Sequence, residues 1–398
     1  MKLARRSRGC LAAAASMVRL VSLMKVVSGG SRRNATVLPA FPAVVSTNRC
    51  SDLNLAMFAN AMNCGPPLSA PCFDFSRCRD RPTVYVFDSQ CSLADSKNIE
   101  TRSSATAFRV AAMRAGVLAD TYESACFFVH TESHVRSEPP CATRAPLWNE
   151  GRNHVMFDVS DPGRDNRGGY SGSYAMEAAT SQRSCYYRTG YDISVAHYPK
   201  VVFHDLQSIP PEDRFLFLTF RGTLYLGDMR GSEERASIME LHDDASGVVV
   251  VAKCADYVLS HYPEYTERCA KLLPNYNAYD YQLLINSTFA LLPAGGSPGT
   301  HRLAEVMSAG SIPVFVVRDY VKPFTEQVDW SAFSFTFSPD EVPHMLHTLR
   351  SVPADELRVM QRNSLKAYWK IYGGKQTYLW IARLVIDIVV RRIGYREA

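Results

Sequence analysis

Short apolar segments alternate with longer segments of helical periodicity along the first half of the chain. These segments are TVYVFD (83–88), CFFVH (126–130), NHVMFD (153–158) and ISVAHY (193–198). Short apolar runs separated by helical stretches are typical of parallel strands joined by crossover helices. The pattern therefore predicts an α/β domain with a parallel sheet.

The same alternation restarts after a charged segment with two prolines, SIPPEDR (208–214), which predicts a linker. FLFLTF, VVVVA, FALLP and IPVFVV follow it, so we expect two α/β domains in tandem, each with its own sheet. Ligands of such sheets bind beyond the carboxyl ends of the strands. The last segment, TYLWIARLVIDIVVRRI, is amphipathic and contains Arg383 and Asp387, which favours a packed helix over a membrane span.

A glycine-rich loop follows one of these predicted strands directly. The stretch LLPAGGSPGTHRLAEVMSAGSIPVF (291–315) places Gly295, Gly296 and Gly299 before a helical pattern. A glycine-rich turn that enters a helix exposes unpaired backbone N–H groups, which makes it a candidate anion cradle. The spacing matches neither the dinucleotide-binding fingerprint nor the P-loop, so an ordinary strand-to-helix turn is the alternative.

The helix after this loop carries two charged residues on one face. Arg302 and Glu305 are three positions apart, whereas Leu303, Val306 and Met307 have the spacing of a core-facing stripe. A guanidinium can bind a diphosphate, and a carboxylate can accept hydrogen bonds from the diol of a ribose. The pair therefore indicates a nucleotide site, and an ordinary surface ion pair is the alternative.

Composition and charge narrow the class of protein. With 398 residues and 46% hydrophobic content, the chain can form two ordinary cores. The net charge is +5, but nine of the 44 basic residues precede the first acidic residue, Asp52, and the remaining 35 face 39 acidic residues. The folded part is therefore nearly neutral, which argues against a nucleic-acid partner.

The N-terminus and the cysteines favour the secretory pathway. CLAAAASMVRLVSLMKVV is interrupted by Arg19 and Lys25 and is too polar for a clean membrane span. It fits a signal peptide, a type II signal anchor, an organellar presequence or a wrongly assigned start. Ten of the eleven cysteines follow residue 49, as in a disulfide-containing protein, although free cysteines in a cytosolic protein are the alternative. Asn34 and Asn286 begin glycosylation triplets.

Motifs in a fixed order resemble the exostosin family, glycosyltransferase family 47, from about residue 64 to the C-terminus. They are CFDFSRC, TVYVFD, LWNEGRNHVMFD, YDISVAHYP, FRGTLYLGD with Arg235 behind it, YDYQLLINSTFALLPAGGSPGTHRLAEVMSAGSIPVF and PFTEQVDWSAFS. The resemblance implies a GT-B fold, with two Rossmann-like domains facing a cleft. It also implies an inverting transfer from a UDP-sugar to a glycan, without a metal or other cofactor, in agreement with the absence of an Asp-x-Asp motif. The chain is most similar to the first transferase domain of the animal heparan sulfate polymerases, and we expect it to lack their second.

The resemblance also implies roles for single residues in a donor-binding second domain. The diphosphate would lie in the loop formed by Gly295, Gly296, Ser297, Gly299 and Thr300. Arg302 would neutralise it, Glu305 would hold the ribose, and Arg221 and Arg235 would add positive charge, with structural arginines as the alternative. Cys254 and Cys269 are at positions where the relatives also carry cysteines, which implies a disulfide.

An inverting transfer needs a general base, which the first domain should supply. His154 and Asp192 match the family best, while Asp158, Asp161 and Asp165 also lie at or beyond strand ends. A buried, hydrogen-bonded structural role is the alternative for His154 and Asp192. Asp158 replaces an asparagine that the resemblance leads us to expect.

These observations give four predicted regions and two hypotheses for function. The regions are a basic targeting segment (1–49), an acceptor-side domain (50–209), a donor domain (210–375) and a C-terminal amphipathic helix (376–398). In the first hypothesis the protein resides in the Golgi membrane or lumen and adds glucuronic acid or another hexose or pentose to a glycan. In the second it is a catalytically silent partner subunit of another glycosyltransferase.

Overall fold

The computed structural model describes residues 64–78, 81–87, 99–131, 143, 145–159 and 173–394. The N-terminal segment, the glycosylation triplet at Asn34, and Asp161 and Asp165 lie outside these residues. The described part of the chain contains two five-stranded sheets. None of its helices is long and apolar enough to cross a membrane.

The first sheet contains five parallel strands in sequential order. They are β1 (Val84–Phe87), β2 (Phe127–Thr131), β3 (His154–Asp158), β4 (Met176–Ala179) and β5 (Ile193–Ser194). A long crossover helix, α1 (Ile99–Arg114), joins β1 to β2. Its Phe108 packs edge-on against Phe157 of β3, with 4.8 Å between the ring centroids. The predicted parallel sheet is confirmed, with β4 as an additional strand.

The second sheet has the order β10-β9-β8-β6-β7, and all its strand pairs are parallel. Its strands are β6 (Leu216–Leu224), β7 (Val248–Cys254), β8 (Ser287–Pro293), β9 (Ile312–Val316) and β10 (Phe335–Phe337). The helices among them are α2 (Ser232–Ile238), α3 (Asp256–His261), α4 (Thr266–Ala278), α5 (Tyr281–Ile285) and α6 (Arg302–Ser308). β8 and β9 are buried throughout, as expected of central parallel strands.

Three helices complete the chain and return it to the first sheet. They are α7 (Val342–Arg350), α8 (Ala354–Tyr372) and α9 (Thr377–Gly394). The last of these packs against α1, and Arg392 donates a hydrogen bond to the backbone oxygen of Asp192 over 3.0 Å. The predicted packed C-terminal helix is confirmed. Two parallel sheets with a C-terminal helix that returns to the first sheet make a GT-B fold.

The segment predicted as a linker, residues 208–214, is packed into the molecule. Arg214 is buried and donates hydrogen bonds to the backbone oxygens of Leu206, Ile209, Ser287 and Ala309, at 2.8 to 3.3 Å. Because a buried guanidinium requires such partners, this arginine fastens the connection between the two sheets to the second sheet. The segment thus connects the two sheets along the chain, and it is packed rather than exposed.

The two sheets also meet directly at the carboxyl ends of β4 and β5. The loop after β9 runs along these ends and forms backbone hydrogen bonds with them. They join Ser184 N to Asp319 O (2.9 Å), Val321 N to Gln182 O (2.9 Å) and Phe324 N to Ser194 O (2.8 Å). The edges where ligands of such sheets bind therefore lie on either side of one junction.

Candidate functional site

The glycine-rich loop leaves β8 at the carboxyl edge of the second sheet and ends at α6. Two of its backbone donors are already used, because Gly295 N–H donates to Ser297 O over 3.0 Å and Gly299 N–H donates to Ser181 Oγ over 3.2 Å. The N–H groups of Gly296, Thr300 and His301 make no hydrogen bond to the described part of the chain. Three backbone donors are therefore available to an anion.

Arg302 follows this loop, and its charged side chain is buried. Only 7% of the residue is exposed, and its Nε donates to Leu291 O over 3.2 Å. Both Nη atoms are buried and make no hydrogen bond to the residues that the structure describes. Buried donors that lack partners within the described residues are costly, so the two Nη atoms fit a site for an anionic ligand.

Glu305 lies one turn further along α6 and is bonded to a tyrosine. The hydroxyl of Tyr281, on α5, donates a hydrogen bond to its Oε2. Burial raises the pKa of Tyr281 to about 12, and the charge of Arg302 opposes this increase. Since Arg302 and Glu305 are both buried, they are not the surface ion pair that was the alternative. Tyr281 was not predicted as a site residue, because its spacing from Glu305 matches no sequence pattern.

Arg235 is the second cation at the loop. Its Nε donates to Ala294 O over 3.0 Å and its Nη1 donates to Thr223 O over 2.5 Å. A Cβ on Gly295 would lie 2.6 Å from its Nη2, so a larger residue here would displace this guanidinium. The guanidinium carbons of Arg235 and Arg302 both lie 5.8 Å from the centroid of the Phe220 ring. Both arginines thus lie beside the same ring.

Arg221 lies elsewhere. Its guanidinium carbon is 3.8 Å from the centroid of the Tyr276 ring on α4, and its Nε donates to Tyr276 O over 3.4 Å. Lys253 lies over the same ring at 5.3 Å. These contacts do not join Arg221 to the glycine-rich loop, so its predicted donor contact has no support from the geometry.

His154, the first candidate base, lies at the amino end of β3 rather than at the carboxyl edge. It is buried, donates from Nε2 to Leu147 O over 2.9 Å, and has its Nδ1 2.8 Å from Nε2 of His130. Because a carbonyl only accepts, Nδ1 of neutral His154 must accept from His130. Burial lowers the pKa of His154 to about 4. These contacts favour the structural alternative.

Asp192, the second candidate, is fully buried beside Arg188. Its carboxylate accepts two hydrogen bonds from this guanidinium, at 2.6 and 2.9 Å. It also accepts from the backbone N–H of Glu177 over 2.9 Å and of Arg188 over 3.0 Å. Its lone pairs are thus occupied, and this geometry also favours a structural role.

The structure contains the disulfide implied between Cys254 and Cys269, with 5.8 Å between the Cα atoms. It ties the end of β7 to α4. Cys64–Cys72 and Cys78–Cys126 are further disulfides in the described chain. The second predicted glycosylation site, Asn286, is half-buried and directly precedes the buried strand β8; its glycosylation stays a prediction.

The GT-B fold, with the glycine-rich loop and the buried Arg302 at the carboxyl edge of the second sheet, is consistent with a glycosyltransferase. A model of the exostosin GT47 domain family matches residues 79–352. The chain belongs to this family of glycosyltransferases.

Curated relatives carry exostosin names. Exostosin-1 of Drosophila melanogaster is 28% identical over 76% of this chain and 42% of its own length. Exostosin-2 of Bos taurus is 28% identical over 69% of this chain and 38% of its own length. The chain thus spans less than half the length of these relatives.

Solved structures show a weaker similarity. A glycosyltransferase from Rickettsia africae ESF-5 is 10% identical, with a TM-score of 0.38, over 77% of this chain and 84% of its own. Anabaena Alr3699/HepE in complex with UDP and glucose is 9% identical, with a TM-score of 0.38, over 78% of this chain and 99% of its own. The assignment of the fold rests on the two sheets of the protein itself.

Proposed function

We propose that this protein is an inverting, metal-independent glycosyltransferase that transfers a sugar from a UDP-sugar to a glycan acceptor. The observation that carries the proposal is the pair of buried Nη atoms of Arg302, which have no partner among the residues described, beside a loop with three N–H groups that are likewise unbonded there. This combination fits a diphosphate, which offers several anionic oxygens to donors fixed in advance.

In the proposed reaction, the acceptor hydroxyl attacks the anomeric carbon as the bond to the diphosphate breaks. The electron pair of that bond leaves with the diphosphate, and the hydroxyl proton passes to a base. Arg302 and Arg235 supply the fixed positive charge that stabilises the leaving group, the task that a metal performs in other transferases. Glu305, oriented by Tyr281, holds the ribose diol.

The general base is the open part of this mechanism. His154 and Asp192 are occupied by structural contacts. Asp161 and Asp165 remain predictions outside the described residues. Because both candidate bases are held by structural hydrogen bonds, the structure also supports the second candidate function, a catalytically silent partner of another glycosyltransferase.

The proposed location is the lumen or membrane of the Golgi. Three disulfides in the described chain fit an oxidising compartment of the secretory pathway. The proposed donor to test first is UDP-glucuronic acid, followed by UDP-hexoses and UDP-pentoses.

The test measures the melting temperature of the purified protein with UDP, in EDTA and in manganese. We expect UDP to raise the melting temperature equally in EDTA and in manganese, and we expect Arg302→Glu to lose this increase. A matched control, Arg221→Glu, should keep the increase because Arg221 lies against Tyr276. An increase seen only with manganese would contradict the metal-independent mechanism. Slow hydrolysis of one UDP-sugar in a panel would support the transferase, and binding of UDP without turnover of any donor would support the silent partner.

A further inference from the structure

Two residues of the first sheet contact the donor loop of the second. Ser181 lies just beyond β4 and His197 just beyond β5, and both are buried. Ser181 Oγ accepts the hydrogen bond from Gly299 N–H over 3.2 Å, and His197 Nε2 lies 3.1 Å from the same oxygen. One hydroxyl beside the first sheet thus contacts the proposed diphosphate loop of the second.

The contact leaves no space for a larger residue in the loop. A Cβ on Gly299 would lie 2.7 Å from Ser181 Oγ and 2.9 Å from His197 Nε2, which is closer than such atoms approach. Ser181 has a positive φ of 59°, which non-glycine residues adopt at a cost. The hydroxyl is therefore held at the loop despite an unfavourable backbone conformation.

A second contact fixes the loop two residues later. His301 Nδ1 donates to the backbone oxygen of Tyr198 over 2.7 Å, and the rings of His197 and His301 lie 4.8 Å apart. The segment between these attachments contains Thr300, and Arg302 follows directly. The available N–H groups of Thr300 and His301 thus have directions set by residues of the first sheet.

We propose that Ser181 and His197 are positioning residues for the donor loop, so that the first domain controls nucleotide affinity without touching the nucleotide. This inference rests on the proposed function, because it treats the loop as the diphosphate site. In this proposal the order of the loop depends on the junction between the sheets. A loop that has lost its bond to Ser181 becomes ordered only when it binds its ligand, and the lost conformational entropy weakens binding.

The first test uses Ser181→Gly in the full chain. This variant removes the hydroxyl and also relieves the positive φ, so its melting temperature should stay at or above that of the wild type. Amide exchange of the 294–301 segment should become about fivefold faster or more, since Gly299 N–H loses its acceptor. Unchanged exchange would overturn the proposal, whether or not the protein binds UDP.

The second measurement is the dissociation constant for UDP by calorimetry. We expect Ser181→Gly to bind about fivefold to tenfold more weakly. Asn149→Gly relieves another positive φ, of 40°, at an exposed position of the first domain and should bind as the wild type does. His197→Ala should weaken binding, and His197→Gln, which keeps a polar end, should restore part of it.

The outcomes separate the two proposals. Faster exchange with unchanged UDP affinity in Ser181→Gly would overturn the positioning role and leave the proposed function intact. A wild type that binds no UDP would count against the proposed function, and the exchange measurement would still decide whether Ser181 holds the loop.

Discussion

Tyr281 donates a hydrogen bond to Glu305, and this contact fixes a carboxylate three residues beyond a guanidinium whose Nη atoms have no hydrogen-bond partner in the described part of the chain. The tyrosine lies on α5 before β8, and the glutamate on α6 after it. The two helices thus hold a fixed acceptor and a fixed cation on the same side of the loop. This separation of charges fits a ligand with a diphosphate at one end and a diol beside it.

The first prediction concerns the ribose. Wild-type protein should bind UDP more tightly than 2′,3′-dideoxy-UDP, by roughly fivefold to tenfold, because the diol donates to a charged carboxylate. Glu305→Gln should lose most of this discrimination while retaining the discrimination between UDP and uridine that Arg302 provides. Tyr281→Phe, which removes only the orienting hydroxyl, should have a smaller effect of the same kind. Equal discrimination by wild type and Glu305→Gln in calorimetry would place the ribose elsewhere.

The second prediction compares two arginines to which the resemblance assigned the same role. Arg235→Gln should weaken UDP binding by roughly tenfold or more, since it removes a charge beside Gly295. Arg221→Gln should stay within about twofold of the wild type, because its guanidinium lies over Tyr276. Melting temperatures without ligand check that each variant is folded. The reverse order of affinities would restore Arg221 to the donor site.

The apolar pattern predicted most of both sheets, because buried parallel strands consist of nearly continuous apolar runs. It missed β4, whose sequence MEAA has no such run, and β10, which has only three residues. The position of the glycine-rich loop between a strand and a helix was also predictable, whereas its role in donor binding stays a prediction. Contacts between distant segments, such as that of Tyr281 with Glu305, leave no periodic signal in the sequence. Only the structure shows them.

The sequence was less informative about which way single side chains point and at which end of a strand they lie. Arg221 shares a strand face with Thr219, and that face is covered by α4 and α5, so period-two alternation separates it from Phe220 and the loop. His154 precedes its apolar run, which places it at the amino end of β3, away from the edge where ligands bind. Asp192 matched a motif, but only the fold shows that Arg188 occupies its carboxylate.

The third prediction concerns the Cys254–Cys269 disulfide, which spans 15 residues. In the chain-entropy model its loss costs about 3 kcal/mol, because the unfolded chain gains freedom. The double variant Cys254→Ser/Cys269→Ser should therefore lower the free energy of unfolding by about this amount in urea titrations. Saturating UDP should still raise its melting temperature, since neither cysteine contacts the loop. Unchanged stability, or a free thiol at either position of secreted wild-type protein, would contradict the prediction.

The last prediction uses the buried pair His130 and His154. Burial lowers the pKa of His154 to about 4 and that of His130 well below its usual value. Because the unfolded chain binds these protons near pH 6.5 and the folded chain does not, the stability is fully present above pH 6.5 and declines as the pH falls towards 4. His154 alone should account for a loss of about 2 kcal/mol between pH 7.5 and 5.

Unfolding in urea at these two pH values measures the loss. His154→Gln removes the titrating group, so its stability should be lower at pH 7.5 but should fall less on acidification than that of the wild type. The exposed His344→Gln is the control and should follow the wild-type pH dependence, since this substitution leaves the buried His130–His154 pair in place. If His154→Gln and the wild type lose the same free energy of unfolding between pH 7.5 and 5, then His154 is not held neutral in the folded protein.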